Sequence, residues 1–348
     1  MYATVQASKR LIEASRSLLG TGEGPAPPEG LDLLRDQVCA EAGVLEPKAA
    51  ALALRQARGD VARAVTLLRV WAATLPTQPA EPCADAAIRV TRRISAAFAR
   101  IPGGQWLGPS PDFESRLLAW DGAAGPLAPI AAAESGRAGV NGGRRGRSRP
   151  PARSELKRVA EATRSAPGIA VAPARPPAEG PDPFEKPLGS RPSREARQAA
   201  LARGETGALV ALANVALAGR REAVAGELCV GVAELSVAHP RTGRPVRIAD
   251  APISEATVLG DAEVDGAAGF QIGFGVSVGR IERRALASAV IDATLEAGAD
   301  VGGLDELATL GAVDGLATSG FVDHLRLPPF ARFASYVDRV RAGEGEDE

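Results

Sequence analysis

Apolar residues recur at helical spacing through the first third of the chain, and the pattern predicts helices over residues 2–19, 31–42, 49–57, 60–75 and 84–99. The clearest case starts at Asp60 after Gly59: the aspartate suits an N-cap, and Val61, Ala64, Val65, Leu68 and then Trp71 or Ala72 form one apolar stripe behind it. A further helical stretch runs over residues 193–218 with a break at Gly204. After Gly226 the period changes to two. Leu228, Val230 and Val232 alternate, Leu235, Val237, Val246 and Ile248 continue, and Phe270, Ile272, Phe274, Val276 and Val278 repeat the pattern, with breaks at Pro240, Gly243 and Gly266. That alternation predicts a mainly antiparallel sheet, covered by a helix over residues 281–297 and shorter C-terminal helices.

The fold class is therefore α+β. An N-terminal helical domain is expected over residues 1–120, a flexible Gly/Pro/Arg-rich linker over 121–192, an α+β domain over 193–343 and an acidic tail over 344–348. With 348 residues, 45% of them hydrophobic, the chain can bury a core. Charge is balanced at 41 Lys+Arg against 42 Asp+Glu, so no global field draws the chain to nucleic acid or membrane. No apolar run reaches the roughly 20 residues of a membrane span, and the chain does not open on a basic-then-apolar signal segment, which predicts a cytoplasmic protein. Cys39, Cys83 and Cys229 lie too far apart for a zinc knuckle or an iron–sulfur nest and read as buried free thiols.

One segment departs from ordinary core chemistry. In RRISAAFARIPGGQWLGPSPDF, an apolar face of Ile94, Ala97, Phe98 and Ile101 ends at Pro102-Gly103-Gly104, and Gly108-Pro109 follows at once. Gln105 and Trp106 sit between the breakers, just after Arg92 and Arg93. A stiff loop of this kind suits a polar ligand or a partner surface.

Gly273, Gly275 and Gly279 run from a strand towards a helix, but Gly273 and Gly275 fall on one face of an alternating strand, which argues against a dinucleotide fingerprint. Side-chain-free positions there admit another backbone or a ligand. Arg280, Arg283 and Arg284 begin the next helix and are candidates for holding an anion at its N-terminus. His239, before Pro240, reads as a surface turn residue. The basic tract GGRRGRSRPPARSELKR at 142–158 has no aromatic residue to stack a base, and it reads as a solvated linker before it reads as an RNA contact.

The loop IPGGQWLGP, the segment GFGVSVGRIERRALASAVIDATL at 273–295 and the segment GFVDHLRLPPF at 320–330 together resemble subunit I of the bacterial carbon–phosphorus lyase complex, the PhnI family. The N-terminal MYATVQASKRLIEAS, the segment AALALRQARGDVARAVTLLR, GEL at Gly226 and ISEAT at Ile253 extend the likeness over both ends of the chain. The resemblance implies a transferase: a phosphonate displaces the purine of ATP or GTP to give a ribose 1-phosphonate 5-triphosphate, and the subunit alone acts as a purine nucleosidase. It implies partners, namely subunits G, H and J (a radical-SAM protein) and the ABC-type subunits K and L, in a dimeric multi-subunit core. Alkylphosphonate is the co-substrate, and Mg accompanies the nucleoside triphosphate.

On the positions that match, the resemblance assigns Arg92, Arg93 and Gln105 to anion and base contacts, Glu255 or Asp314 to the carboxylate that stabilises an oxocarbenium-like sugar, and His324 to a metal-bearing interface. Arg283 and Arg284 join the substrate-binding set. Zn is implied by a histidine pair in the family, but here the second position is Pro329, and a histidine and a glutamate that flank the aspartate in the family are Ala312 and Ala317. These losses open a second reading, a scaffold subunit weakened in catalysis. A third reading, RNA binding through the basic tract, would need a strong salt dependence.

Overall fold

The computed structural model describes residues 31–76, 88–106, 110, 156, 158–173, 192–219, 223–323 and 333–343. The predicted helix at 2–19, residues 142–155 of the basic tract, His324, Pro329 and the acidic tail lie outside the described residues. Among the described residues three helices come first: α1 (Asp32–Ala42), α2 (Pro47–Gln56) and α3 (Val61–Ala72). They bury Val38, Leu54, Ala64 and Leu68 in a small core of their own. Asp60 caps α3 as its sequence predicts, its carboxylate accepting from the Arg63 N–H at 3.1 Å. Trp71 is 41% exposed while Ala72 is half-buried, so of the two alternatives Ala72 continues the stripe.

The segment expected as a helix over 84–99 contains a strand instead. β1 (Ile88–Ile94) pairs antiparallel with β3 (Ala223–Ala238) from Ile88↔Ala233 to Ile94↔Leu228. Ile88, Val90, Thr91 and Ile94 are β-branched and fit a pleated surface better than a helix, and a neighbouring strand satisfies the backbone that helical spacing seemed to claim. β4 (Pro245–Val264) and β5 (Ala267–Val278) continue the antiparallel sheet, and with the short β2 (Ala170–Val171) at its end the order is β1-β3-β4-β5-β2. β2 lies parallel to β5, which makes the sheet mixed. It follows the short helix α4 (Val159–Arg164), so residues 158–173, within the stretch read as a linker, carry regular structure against the sheet. β1 likewise joins the same sheet as the C-terminal strands.

One sheet face is covered by α5 (Arg194–Ala202), α6 (Thr206–Ala218), α7 (Glu282–Glu296) and α8 (Glu306–Val313), with α9 (Gly315–Asp323) and α10 (Phe333–Gly343) following. The main core joins Leu201, Leu209, Leu228, Val258, Ile291 and Leu310. α7 is buried almost all round, and the glycine stripe of β5 is the reason. A Cβ on Gly273 would meet Ala289 O at 2.0 Å, and one on Gly275 would meet Ala285 O at 2.1 Å. Helix backbone therefore rests directly on strand backbone, and of the two alternatives left open by the glycines it is the chain's own helix that makes the approach.

The edge of β5 is finished by side chains. Arg194 and Gln198 of α5 donate to Ile272 O at 3.1 Å and Phe274 O at 2.7 Å, and Asp292 of α7 accepts from the Phe274 N–H at 2.9 Å.

Gly275→Ala should lower stability by about 1–3 kcal/mol, the usual cost of overpacking. Gly311→Ala, in α8 with nothing within 4 Å of the added carbon, should instead raise it by about 0.5–1 kcal/mol. Urea unfolding of the two variants beside the parent measures both; equal midpoints for Gly275→Ala and the parent would refute the backbone contact.

Candidate functional site

The face of the sheet away from α7 carries two of the candidate residues, Arg93 and Glu255. Residues directly opposite one another in antiparallel strands share a face. Arg93 of β1, Cys229 of β3, Glu255 of β4 and Val276 of β5 therefore form one row across four strands. Glu227, two residues from Cys229, joins that face beside Arg93.

Arg93 is fully buried and donates to Glu227 Oε1 at 2.7 Å, Pro102 O at 2.8 Å and Gly104 O at 3.0 Å. The guanidinium thus holds the Pro-Gly-Gly loop by its carbonyls. The loop also bridges back to β1, since Arg93 and Trp106 exchange backbone hydrogen bonds at 2.8 and 3.0 Å. Gly103 and Gly104 have φ of 84° and 107°, which explains the glycine pair, and the Trp106 ring lies 3.3 Å from where a Gly104 Cβ would be. Gln105 is left exposed at the tip.

Glu227 is buried, and that burial alone would raise its carboxyl. The charge of Arg93, the Val159 N–H at 3.1 Å, the Arg93 hydrogen bond and the charge of Arg158 outweigh it and hold the group below its ordinary range. Burial, and next the charge of Glu227, push the Cys229 thiol well above its ordinary value, so it stays a neutral donor, 3.4 Å from Glu227 Oε1.

Glu255 stands at the wall of an open cleft of about 500 Å³. The remaining lining is apolar, with Leu45 from the α1–α2 connection, Ile253 of β4, and Phe274, Val276 and Val278 of β5 among it. The volume falls in the range of ligand pockets, roughly 300–1,000 Å³, and an apolar slot with one carboxylate can take a flat ring and favour positive charge next to it. Glu255 itself is 7% exposed.

The other predicted residues lie elsewhere. Arg92 reaches the start of α7, its Nε donating to Glu282 Oε1 at 2.7 Å, an oxygen that also accepts from Ser110 Oγ at 3.0 Å. Arg284 is fully buried and donates to Ser277 Oγ at 3.0 Å, Thr206 Oγ1 at 2.5 Å, Ala202 O at 3.0 Å and Glu41 Oε1 at 3.4 Å. Burial lowers its pKa to about 10, so it remains charged at neutral pH. These acceptors tie α7 to α1 and α6, and they turn Arg284 from an expected substrate contact into an internal junction. Arg283 is exposed on the next position of α7.

Asp314 caps α9, accepting from the N–H groups of Leu316 and Ala317 at 3.0 and 3.3 Å, and pairs with Arg69 at 2.9 Å. Burial would raise its pKa, but the Arg69 hydrogen bond and charge outweigh it, and the net direction is down. It belongs to the helical layer and Glu255 to the opposite sheet face, so the two candidate carboxylates are not brought together. Among the described residues no group of three or more His, Cys, Asp or Glu is arranged to hold a metal, and with Pro329 at the second position the zinc donor set of the resemblance does not fit this chain. No helix among the described residues is long and apolar enough to cross a membrane.

Three polar junctions were absent from the sequence reading. Asp36 accepts from both the N–H and the Nε of Arg280 at 3.0 Å, which engages that arginine of the expected anion site. Glu41 accepts from Thr206 N and Oγ1 at 3.0 and 2.6 Å. Arg197, fully buried, meets Asp292, Glu296 and Glu306 at 2.9, 2.6 and 2.7 Å. A buried arginine has no signature of its own in an arginine-rich sequence; only the matching acids within apolar helices, such as Asp292 in α7, hint at one.

The model of the family described as "Bacterial phosphonate metabolism protein (PhnI)" matches residues 1–346. The chain belongs to the PhnI family. Among relatives, a putative C-P lyase subunit protein HtxH of Stutzerimonas stutzeri is 32% identical over 98% of this chain and 95% of its own. The alpha-D-ribose 1-methylphosphonate 5-triphosphate synthase subunits PhnI of Escherichia coli K12 and Rhizobium meliloti are 31% and 30% identical, each over 98% of this chain and over 98% and 94% of their own. In this PhnI-family chain the recognised segments IPGGQWLGP and ISEAT are related through one sheet row: Arg93 holds Pro102 and Gly104 of the first, and Glu255 of the second stands next but one to Arg93, across Cys229.

Breaking a buried pair leaves an uncompensated charge, so Arg284→Met should cost about 3–5 kcal/mol in urea unfolding. An unchanged midpoint would remove the junction from the fold's supports. Glu227 gives a pH test. Its folded pKa lies below the ordinary 4.5, so its contribution is fully present above that value and is lost as pH falls through the folded value. Glu227→Gln should therefore be less stable than the parent at neutral pH and converge with it in acid. A parallel offset at all pH values contradicts the assignment.

Proposed function

We propose that this chain displaces the purine of ATP or GTP with an alkylphosphonate, as the transferase subunit of a carbon–phosphorus lyase core complex, and that it acts as a purine nucleosidase when alone. The supporting observation is the apolar cleft with Glu255 as the one carboxylate named in its lining. The apolar walls suit the base. As the bond from C1′ to the purine nitrogen breaks and the electron pair leaves with the base, positive charge grows on the sugar, and Glu255 stabilises it. A phosphonate oxygen then bonds to C1′, or a water oxygen in the nucleosidase reaction, while the purine takes up a proton. Mg travels with the triphosphate as part of the substrate.

Subunits G, H, J, K and L are the proposed partners around a dimeric core, in the cytoplasm, and Gln105 and Arg283, both exposed, are proposed contacts for substrate or partner. Arg92 and Arg93 serve the site by holding its frame, since their guanidinium nitrogens engage Glu282, Glu227 and the loop carbonyls.

A specific observation favours the second reading, a scaffold subunit. Arg92, Arg93 and Arg284, three of the five arginines expected to bind anions, are buried in internal pairs, and Arg280 pairs with Asp36, which is what a structural role requires.

Purified with its partners and magnesium, the chain should release adenine or guanine from ATP or GTP, and Glu255→Gln should slow that release about 100-fold, a magnitude typical of lost transition-state electrostatics. His324→Ala should affect base release far less. Chromatography that finds no free purine above background decides for the scaffold.

A further inference from the structure

The β3–β4 pair outruns the rest of the sheet. Pairing with β1 ends at Ala233, and pairing of β4 with β5 ends at Ile253. Among the described residues, 234–238 and 245–250 therefore form a two-stranded arm, and five extended residues carry it roughly 17 Å beyond the sheet. Its turn is organised by His239, whose Nδ1 accepts from the N–H groups of Arg241 and Thr242 at 3.2 and 3.3 Å. That ring is part of the turn's own structure.

A two-stranded hairpin is marginal in water unless something packs on it. This one displays Val246 and Ile248 at 43% and 59% exposure. Val246 pairs with Val237, two positions along β3 from Leu235, and Leu235 lines the Glu255 cleft, so the apolar strip runs from the cleft out along the arm. Glu234 and Asp250 flank the arm at its base, and beyond them its charge has one sign. No carboxylate lies between Glu234 and Asp250, while Arg241 and Arg244 are exposed at the tip and Arg247 pairs back with Asp250.

We infer that this arm docks onto a sister subunit of the same complex, into an apolar groove rimmed by carboxylates; the inference rests on the multi-subunit reading proposed above. The chemistry selects the occupant. Exposed aliphatic side chains need an apolar partner, and the paired cations at the tip need acidic groups beside it. Single-stranded nucleic acid would call for stacking rings, and there is no Phe, Tyr or Trp between Glu234 and Asp250.

The test uses the full chain, tagged and co-expressed with the proposed sister subunits G, H, J, K and L. The native chain should retain a sister subunit on purification. Val246→Ser with Ile248→Ser, and separately Arg241→Glu with Arg244→Glu, should each reduce its recovery about tenfold or more, as loss of interface anchors does. The free variants should melt within a degree or two of the free native chain, because exposed positions contribute little to folding. Unchanged recovery by both pairs overturns the inference. So does a marked loss of stability in the free variants, which would mean that the arm packs against its own chain, or single-stranded RNA binding that is lost in the arginine pair while subunit recovery stays intact. A native chain that retains no sister subunit removes the multi-subunit reading and this inference with it, whereas native retention with unaffected variants removes the inference alone.

Discussion

The seating of α7 on β5 is the contact on which the other interactions depend. Gly273 and Gly275 let the helix backbone come within van der Waals range of the strand, and a helix so placed is buried on nearly every side. Its polar residues must then find partners inside the protein. Glu282 meets Arg92, Arg284 meets Glu41 and Thr206, and Asp292 meets Arg194 and Arg197. Through these pairs one helix registers β1, α1, α5 and α6 against the sheet. Buried ion pairs of this kind add little net stability over apolar packing, but each is intolerant of losing one member. They fix arrangement more than they add strength.

The parts of the fold legible in the sequence were those governed by local pattern. Asp60 was readable as a cap, Gly204 as a break, and the alternation from Leu228 to Val278 as antiparallel strands, because each is set by residues within a few positions. β1 was misread because Ile94, Ala97, Phe98 and Ile101 are spaced like one helix face, and pairing with β3, more than 130 residues away, decided otherwise. The site was readable only in outline. That Arg93 and Gly104 belong together was implied by their nearness in sequence, but that Glu227 completes them depends on strand register. Arg280 and Arg284 looked like anion ligands because their acids, Asp36 and Glu41, lie far upstream in the first described helix.

Arginine's planar fork explains why these junctions use it and not lysine. Arg93 serves a carboxylate and two carbonyls at once, and Arg197 serves three carboxylates, a division of donors that a single ammonium cannot match in direction. The consequence for function is a site whose cations belong to its frame. Glu255 then faces the cleft from a rigid cross-strand row, with a neutral Cys229 between it and Arg93.

The finished border of the sheet has a consequence for how copies and partners can meet. On the β5 side, Arg194, Gln198 and Asp292 occupy the carbonyls and the amide that a further strand would use. On the β1 side, Trp106 takes both backbone groups of Arg93. Addition of a strand is thereby obstructed at Arg93 and along residues 272–274 of β5, and the same obstruction guards those stretches against ladder-like self-association. Along those stretches assembly is left to side-chain surfaces, which discriminate between partners where backbone ladders do not.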